Sequence, residues 1–279
     1  QWTGGSTHGT WKNIGHFTIN STGNVIPSGF ATNTGTVVHL AGGVTESGNP
    51  SFTNAAGAVY DIRGDVLVNW NIFLNAGSIT RTAGMADATF SFGTGGYFNN
   101  TGTINVQTGR LITPNAGTTT GATYTVAAGT TLDLGDQGYA GTITGSGDGL
   151  IRFANGFAAV GGATKFDFPT PGLLQWTGGD TTGTWTNAGS LTINAPGGAN
   201  PRGTATNTGT IIHAVGNVFE NGSPSLTNAA GAVYDIRGDH NINWNIFINQ
   251  GTIVRSAGQG VATIIQGSTG GSFQNSGTI

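Results

Sequence analysis

The chain has no cysteine among its 279 residues, and only 8% of its side chains are charged. The absence of cysteine excludes disulfide bridges and thiolate metal ligands. The net charge of −3 provides no basic surface for nucleic acid or for anionic membranes. No apolar run approaches the ~18 residues of a membrane-spanning helix, and no N-terminal signal segment is recognisable. We therefore expect a soluble, mature chain.

Helical patterning is also missing. Apolar residues do not recur at i, i+3, i+4 and i+7 over a helical length, and 51 glycines would each weaken a helix by roughly 1 kcal/mol. Short β-branched or aromatic segments such as Phe17–Asn20, Thr36–Val38 and Thr103–Val106 are instead bounded by Gly, Asn and Ser. Such segments are typical of strands, so the sequence predicts an all-β fold.

A long internal repeat organises the chain. Residues Phe52–Asp65 and Leu226–Asp239 lie 174 positions apart and differ only in their first residue. The same offset relates all six tryptophans in pairs: Trp2 and Trp176, Trp11 and Trp185, Trp70 and Trp244. Fixed-spacing self-similarity indicates a repeat architecture. We expect residues 1–174 to form the first long repeat, and residues 175–279 to form a second, incomplete copy that continues the same solenoid.

A shorter motif, Asn-x-Gly-x-aliphatic, recurs within each copy about every 21 residues. Its asparagines are Asn13, Asn33, Asn54, Asn75 and Asn100, with Asn115 as a less regular sixth, and then Asn187, Asn207, Asn228, Asn249 and Asn275. A propeller blade needs roughly 40–45 residues, about twice this period. A coil of three short strands fits it, so the sequence predicts a parallel β-helix (β-solenoid) of about 13 coils. The general preference for right-handed crossovers favours a right-handed coil.

The motif suggests how the coils stack. Asn tolerates the left-handed backbone region and Gly enters it freely, so the chain can turn at the same place in every coil. Stacked asparagine amides can then hydrogen-bond along the axis. We expect two inward-facing columns. The column before the turn comprises Trp11, Phe52, Phe73, Phe98, Trp185, Leu226, Phe247 and Phe273, and the column after it comprises Phe17, Val37, Val59, Ile79 and Ile104.

Alignment of the coils on the motif glycines Gly35, Gly57 and Gly77 places charged residues in one column. These residues are His39, Asp61 and Arg81, with His213, Asp235 and Arg255 in the second copy. They could be a catalytic His-Asp pair oriented by Arg, or an ion pair between coils. No nucleophile or oxyanion donor accompanies them, which favours the structural ion pair and predicts no catalytic residue and no enzyme.

Four further patterns suggest ligands, and each has a structural alternative. Arg63-Gly64-Asp65 and its copy Arg237-Gly238-Asp239 spell an integrin-binding tripeptide, but also suit a stiff turn. Pairs such as Asp133 with Asp136, or Asp61 with Asp65, suggest calcium or glycoside chemistry, but no calcium-repeat pattern or cleft accompanies them. We predict no metal and no cofactor.

Hydroxyl and tryptophan side chains supply the other two patterns. Residues after the motif glycine form a threonine-rich column, as in ice-binding β-helices, but His16 and Ala58 interrupt it. Trp2 and Trp176 stand in Trp-Thr-Gly-Gly segments without apolar alternation, so one ring face could stack on sugars. The tryptophans at motif-like positions, Trp11, Trp70, Trp185 and Trp244, are expected in the core.

The Asn-x-Gly-Thr-Ile/Val segments at Asn33, Asn100, Asn207 and Asn275, with Gln-Trp-Thr-Gly-Gly at Gln1 and Gln175, resemble the repeats of very large bacterial surface proteins. Those proteins are the filamentous-haemagglutinin-like and autotransporter-like β-helix adhesins. The resemblance covers nearly the whole chain, and residues 118–171 follow it more loosely. It implies an exported stalk or fibre at the cell surface of a bacterium.

The expected function is a non-enzymatic scaffold. Neither end of the chain has a recognisable cap, so we expect it to continue into a longer chain or to meet its own copies end to end. Surface glycans are a further possible partner, whereas nucleic acid and direct membrane insertion are not expected. The alternatives are a carbohydrate-binding β-helix, a polysaccharide-degrading β-helix enzyme and an ice-binding protein.

Overall fold

In the computed structural model, residues 1–267 and 270–279 are described, and they form an all-β structure without helices. The strands stack in parallel coils about 21 residues apart, giving a β-solenoid of about 12 turns rather than about 13. The predicted fold class is therefore confirmed, while the handedness stays a prediction. The described chain holds no apolar helix of bilayer-spanning length. The chain divides into two compact units, Gln1–Gln137 with Gly147–Leu150, and Gly138–Ser146 with Ile151–Ile279.

The first unit contains strands β1 to β18. In chain order they are β1 (Gly5–Thr7), β2 (Thr10–Asn13), β3 (His16–Asn20), β4 (Val25–Pro27), β5 (Phe30–Asn33), β6 (Thr36–Ala41), β7 (Ser51–Asn54), β8 (Val59–Ile62), β9 (Leu67–Val68), β10 (Ile72–Asn75), β11 (Ser78–Arg81), β12 (Asp87–Phe90), β13 (Tyr97–Asn100), β14 (Thr103–Val106), β15 (Arg110–Ile112), β16 (Gly117–Thr120), β17 (Thr123–Val126) and β18 (Thr131–Leu134). Within this unit, sheet 1 has the order β2-β5-β7-β10-β13-β16, sheet 2 has β3-β6-β8-β11-β14-β17, and sheet 3 has β9-β12-β15-β18. Each strand of these sheets thus pairs in parallel with its equivalent in the next coil, usually three strands later and in two cases, β5 with β7 and β6 with β8, two strands later.

The second unit contains strands β19 to β37. In chain order they are β19 (Gly138–Ala140), β20 (Thr142–Ser146), β21 (Leu150–Phe153), β22 (Gly156–Ala159), β23 (Thr164–Asp167), β24 (Leu174–Trp176), β25 (Asp180–Thr182), β26 (Thr184–Asn187), β27 (Ser190–Asn194), β28 (Asn200–Pro201), β29 (Thr204–Asn207), β30 (Thr210–Val215), β31 (Ser225–Asn228), β32 (Val233–Ile236), β33 (Asn241–Ile242), β34 (Ile246–Asn249), β35 (Thr252–Arg255), β36 (Thr263–Ile264) and β37 (Ser272–Asn275). Within this unit, sheet 4 has the order β19-β22-β25-β28, sheet 5 has β20-β23-β26-β29-β31-β34-β37, and sheet 6 has β21-β24-β27-β30-β32-β35. The same three-sheet coil is built here.

Inward-facing columns supply the core of each unit. On sheet 1 the pairing runs through Trp11, Ala31, Phe52, Phe73 and Phe98. The rings of Phe52 and Phe73 stack with centroids 5.1 Å apart. On sheet 5 the corresponding column comprises Trp185, Ala205, Leu226, Phe247 and Phe273. Each buried aromatic or leucine side chain contributes about 1.5–3 kcal/mol relative to exposure, so these columns are the main cohesive feature of the coils.

The second predicted column is correct except at one position. On sheet 2, Phe17, Val37, Ile79 and Ile104 share an inward column, but Tyr60 rather than Val59 stands between Val37 and Ile79. The turn after Asn54 is two residues longer than the turn after Asn33, and it is closed by a hydrogen bond from Ala58 N to Ala55 O of 2.9 Å. Counted from the motif glycine, the inward residue is the second after Gly35 but the third after Gly57. Because alternate side chains face opposite sides of a strand, this one-residue difference turns Val59 outward and Tyr60 inward.

Candidate functional site

The motif asparagines of the first unit form a hydrogen-bonded chain, called here the asparagine ladder. The Nδ2 of each donates to Oδ1 of the next, at 2.7 Å for Asn13 to Asn33, 2.9 Å for Asn33 to Asn54, 2.8 Å for Asn54 to Asn75 and 2.7 Å for Asn75 to Asn100. The Nδ2 of Asn33 also donates to Val59 O at 2.9 Å, while its Oδ1 accepts from Gly35 N at 3.2 Å. One side chain therefore closes its own turn and fastens its coil to the next.

The ladder of the first unit ends at Asn100. Thr119 occupies the next position in register, and the Nδ2 of Asn100 is buried without a hydrogen-bond acceptor. Asn115, the less regular sixth member of the predicted series, lies outside the ladder, and its Oδ1 accepts from Asp136 N at 3.1 Å. The motif spacing thus predicted the five asparagines of this ladder correctly, whereas the inclusion of Asn115 was wrong.

A second asparagine ladder runs along the equivalent turn of the second unit. The Nδ2-to-Oδ1 distances are 2.8 Å for Asn187 to Asn207, Asn207 to Asn228 and Asn228 to Asn249, and 2.7 Å for Asn249 to Asn275. Phe166 precedes Asn187 in register, and the Oδ1 of Asn187 is buried without a donor. Within each ladder every asparagine donates to the next one along the chain, so the amide dipoles of that ladder add.

The predicted column of charged residues is wrong for its aspartates. His39 and Arg81 both pair in register with Ile62, whereas Asp61 pairs with Val38 and Thr80. Counting from the glycine misplaced Asp61 by one residue, because the turn containing Gly57 is longer, and that slip moves a side chain to the opposite face. The second unit repeats this arrangement, with His213 and Arg255 paired with Ile236 and Asp235 paired with Ile212 and Val254.

His39 is instead part of a buried hydrogen-bonded pair that the sequence analysis missed. Its Nε2 donates to Gly42 O at 2.8 Å, which leaves Nδ1 to accept from the Tyr60 hydroxyl at 3.1 Å. Burial lowers the pKa of His39 from 6.5 to about 4, and burial raises the pKa of Tyr60. The imidazole is therefore neutral at pH 7. The signal in the sequence was the separation of His39 and Tyr60 by one coil length, repeated in the second copy.

Asp61 and Arg81 make separate ion pairs in the first unit. The Asp61 carboxylate accepts from Arg63 Nε at 2.6 Å and from the hydroxyls of Thr80 and Thr82 at 3.0 and 2.6 Å. Arg81 has a fully buried side chain, and its Nη2 donates to Asp65 at 2.6 Å. The Arg63-Gly64-Asp65 tripeptide is thus tied at both charged ends, and a Cβ on Gly64 would lie 2.2 Å from Leu40 O. It lacks the free carboxylate that an integrin ligand presents.

The second unit repeats these contacts with a less buried arginine. His213 Nε2 donates to Gly216 O at 2.7 Å, Nδ1 lies 3.2 Å from the Tyr234 hydroxyl, and burial lowers the pKa of His213 to about 4. The His213 ring also stacks on His240 with centroids 4.6 Å apart. Arg255 pairs with Asp239, but its side chain is 35% exposed. The two copies therefore offer natural comparisons of the same contact at different burial.

The two tryptophans proposed to contact glycans are buried, so that prediction of open ring faces is wrong. Trp2 is 7% exposed and Trp176 is fully buried. Trp2 pairs with inward-facing Ile19, and Trp176 pairs with Ile193. Both tryptophan side chains face inward because each residue is paired in register with an inward-facing residue of the neighbouring coil, although the local sequence shows no apolar alternation. Among the tryptophans expected in the core, Trp70, Trp185 and Trp244 are buried, and Trp11 is half-buried.

The remaining polar patterns serve local contacts. The Asp133 carboxylate accepts from Arg110 Nε at 2.6 Å. In the described part of the chain, no three His, Cys, Asp or Glu side chains cluster as metal ligands. In the hydroxyl column, Val59 rather than Ala58 stands between Thr36 and Ser78. The second unit does contain one short hydroxyl array, formed by Thr184, Thr186, Thr204, Thr206, Ser225 and Thr227 in register on three strands.

Comparison of the chain with protein-family models, curated proteins and solved structures found no match. The resemblance to adhesin repeats therefore has no support beyond the motifs themselves.

Proposed function

We propose that the chain is a non-enzymatic structural scaffold, a β-solenoid section of a stalk or fibre in a bacterial surface protein. The observation that carries the proposal is the asparagine ladder. Asparagines on five successive coils are joined by side-chain hydrogen bonds of 2.7–2.9 Å in the first unit, and five more are joined in the second. Side-chain amides that hydrogen-bond from one coil to the next keep the coils in register, which is a feature of a structural spacer.

The ladder and the backbone act together against separation of neighbouring coils. Parallel strand pairs join each coil to the next on three sheets, and the inward rings stack along the same direction. A buried amide–amide hydrogen bond contributes about 1 kcal/mol net, and leaving its partners unpaired costs more. A pulling force must therefore break several contacts together at each coil, which suits a load-bearing element.

The extracellular location, the membership of a longer chain and the end-to-end contact between copies are parts of the same proposal. They are supported by the motif resemblance. A surface rich in Thr, Ser, Asn and Gly is compatible with a solvated spacer. Labelling of intact cells of the source bacterium with an antibody against the chain would detect it at the surface.

Single-molecule pulling tests the scaffold proposal. The chain is placed between two marker domains of known unfolding force, and the force needed to peel off coils is recorded. We expect resistance distributed over many coils, and a lower force for a variant that carries Asn54→Ala and Asn228→Ala. Equal forces for both proteins would contradict the role of the ladder. Release of reducing ends from polysaccharides by the purified chain would contradict the non-enzymatic part.

A second candidate function, carbohydrate binding, has one observation in its favour. Phe30 is 59% exposed and Tyr97 is half-buried, and both stand in one outward column of sheet 1 with Ser51 and Ile72 between them. Exposed aromatic rings among hydroxyl side chains can stack on sugars. A glycan array tests this function: binding lost in Phe30→Ala and Tyr97→Ala but retained in Trp2→Phe would favour it.

A further inference from the structure

A second kind of asparagine, distinct from the asparagine ladder, points to a bound cation. Asn71 precedes β10 in a left-handed conformation with φ of 58°, and its side chain is 2% exposed. Its Nδ2 donates to Asn49 Oδ1 at 3.0 Å, but its own Oδ1 is buried and accepts from no donor. An unpaired buried carbonyl oxygen costs roughly 1–3 kcal/mol, so a missing partner is expected beside it.

The carboxylate of Glu46 reaches the same place from the preceding coil. A Cβ on Gly93 would lie 1.7 Å from Oε1 of Glu46 and 3.5 Å from Oδ1 of Asn71. A Cβ on Gly96 would lie 2.3 Å from the same Oδ1 of Asn71. Two oxygens from two coils therefore converge on a glycine loop of a third coil. A side chain on either glycine would collide with these oxygens.

The second unit carries the same constellation 174 residues later. A Cβ on Gly267 would lie 1.9 Å from Oε2 of Glu220 and 2.0 Å from Oδ1 of Asn245. Asn245 also has a positive φ of 56°, is 3% exposed, and has an Oδ1 without a donor. Asn49, the partner of Asn71, is replaced by Ser223 at this offset. The carboxylate and the unpaired amide oxygen thus persist although a neighbouring side chain changes.

We propose that each constellation binds one calcium ion, with Glu46 and Asn71 as side-chain ligands in the first unit and Glu220 and Asn245 in the second. Calcium takes carboxylate and amide oxygens at 2.3–2.6 Å, so two ligands of one ion lie no more than about 5 Å apart. The distances to the shared glycines are compatible with that separation. Main-chain carbonyls and water complete the coordination. The ion supplies the positive charge that the unpaired Oδ1 of Asn71 and of Asn245 lacks.

Calcium titration of the full chain, followed by calorimetry, tests the proposal. We expect two ions per chain, one in Glu46→Gln, one in Glu220→Gln and none in the double variant. Asp148→Asn, which changes an exposed carboxylate away from both sites, is the matched control and retains two ions. Calcium should also raise the thermal midpoint by a few degrees relative to EDTA. The absence of both a binding heat and a shift in the thermal midpoint at about 10 mM calcium would overturn the proposal.

Asn71→Asp distinguishes a cation from a simpler explanation. If Oδ1 faces an ion, a second carboxylate strengthens calcium binding and enlarges the difference in midpoint between calcium and EDTA. If the amide is instead turned so that its N–H donates to Glu46, or if water bridges the two oxygens, the new carboxylate repels Glu46. The variant would then lose the same stability in calcium and in EDTA, which contradicts the proposal. Two ions still bound in the double variant would also contradict it.

Discussion

Replacement of one ladder asparagine should destabilise the chain far more than its size suggests. Asn54 is fully buried; its Nδ2 donates to Asn75 Oδ1 at 2.8 Å and to Ser78 O at 3.1 Å, and its Oδ1 accepts from Asn33 Nδ2 at 2.9 Å. Asn54→Ala removes these three hydrogen bonds, together with a longer one from Nδ2 to Ala58 O at 3.5 Å, and leaves each partner group short of one contact. At about 1–3 kcal/mol for each stranded buried group, we expect a loss of about 3–5 kcal/mol.

Urea unfolding followed by circular dichroism measures this loss. Asn228→Ala is the equivalent change in the second unit and should cost a similar amount, because Asn228 has the same three contacts at 2.8, 3.1 and 2.8 Å. Thr53→Ala, on the same strand but half-exposed, is the control and should cost less than about 0.5 kcal/mol. A loss below about 1 kcal/mol for Asn54→Ala, comparable to the control, would refute the structural role of the ladder.

Two further predictions concern the buried charged and titratable groups. The pKa values of His39 and His213 fall from 6.5 to about 4 on folding, so the unfolded chain binds more protons between these two pH values. The free energy of unfolding should therefore decrease as pH falls from about 6.5 to 4, by up to about 3 kcal/mol per histidine. An unchanged urea midpoint over that interval would contradict the neutral buried imidazoles. Arg81→Ala should cost about 3–5 kcal/mol because it removes a fully buried side chain and the donor to Gly64 O at 2.7 Å and to Ala86 O at 2.8 Å, whereas Arg255→Ala, at a 35% exposed side chain, should cost about 1 kcal/mol or less. Equal urea midpoints for the two variants would show that burial does not decide the cost.

The coiled fold could be predicted from the sequence because the strongest sequence signals are local and recur in every coil. Asn33 and Asn54 mark the turn of each coil by residue type alone, so the period, the strands and the ladder could be predicted. Side-chain direction could not be predicted where the turn changes length, as at Asp61, because a one-residue difference reverses the face. Trp2 was misjudged for another reason: its burial depends on Ile19 in the neighbouring coil, which no local pattern reveals.

The cation site was beyond the sequence for a related reason. Glu46, Asn71 and Gly93 lie on three different coils, and none belongs to the Asn-x-Gly motif. Only the stacking of coils brings the two oxygens to the glycine. A comparison of the two copies could have marked Glu46 and Glu220 as a repeated acidic pair, but their partners could not be chosen without the register.

Cysteine cross-linking tests the stacking of the coils most directly, and the natural chain has no cysteine to interfere. Thr36 and Val59 are in-register partners on β6 and β8, and Cα atoms on neighbouring strands lie about 4.8 Å apart, within disulfide range. Thr36→Cys with Val59→Cys should therefore form an intrachain disulfide on mild oxidation. Thr36→Cys with Ala58→Cys should not, because Ala58 is buried and faces the opposite side. Efficient bridging to position 58, or to neither position, would contradict the stacked coil.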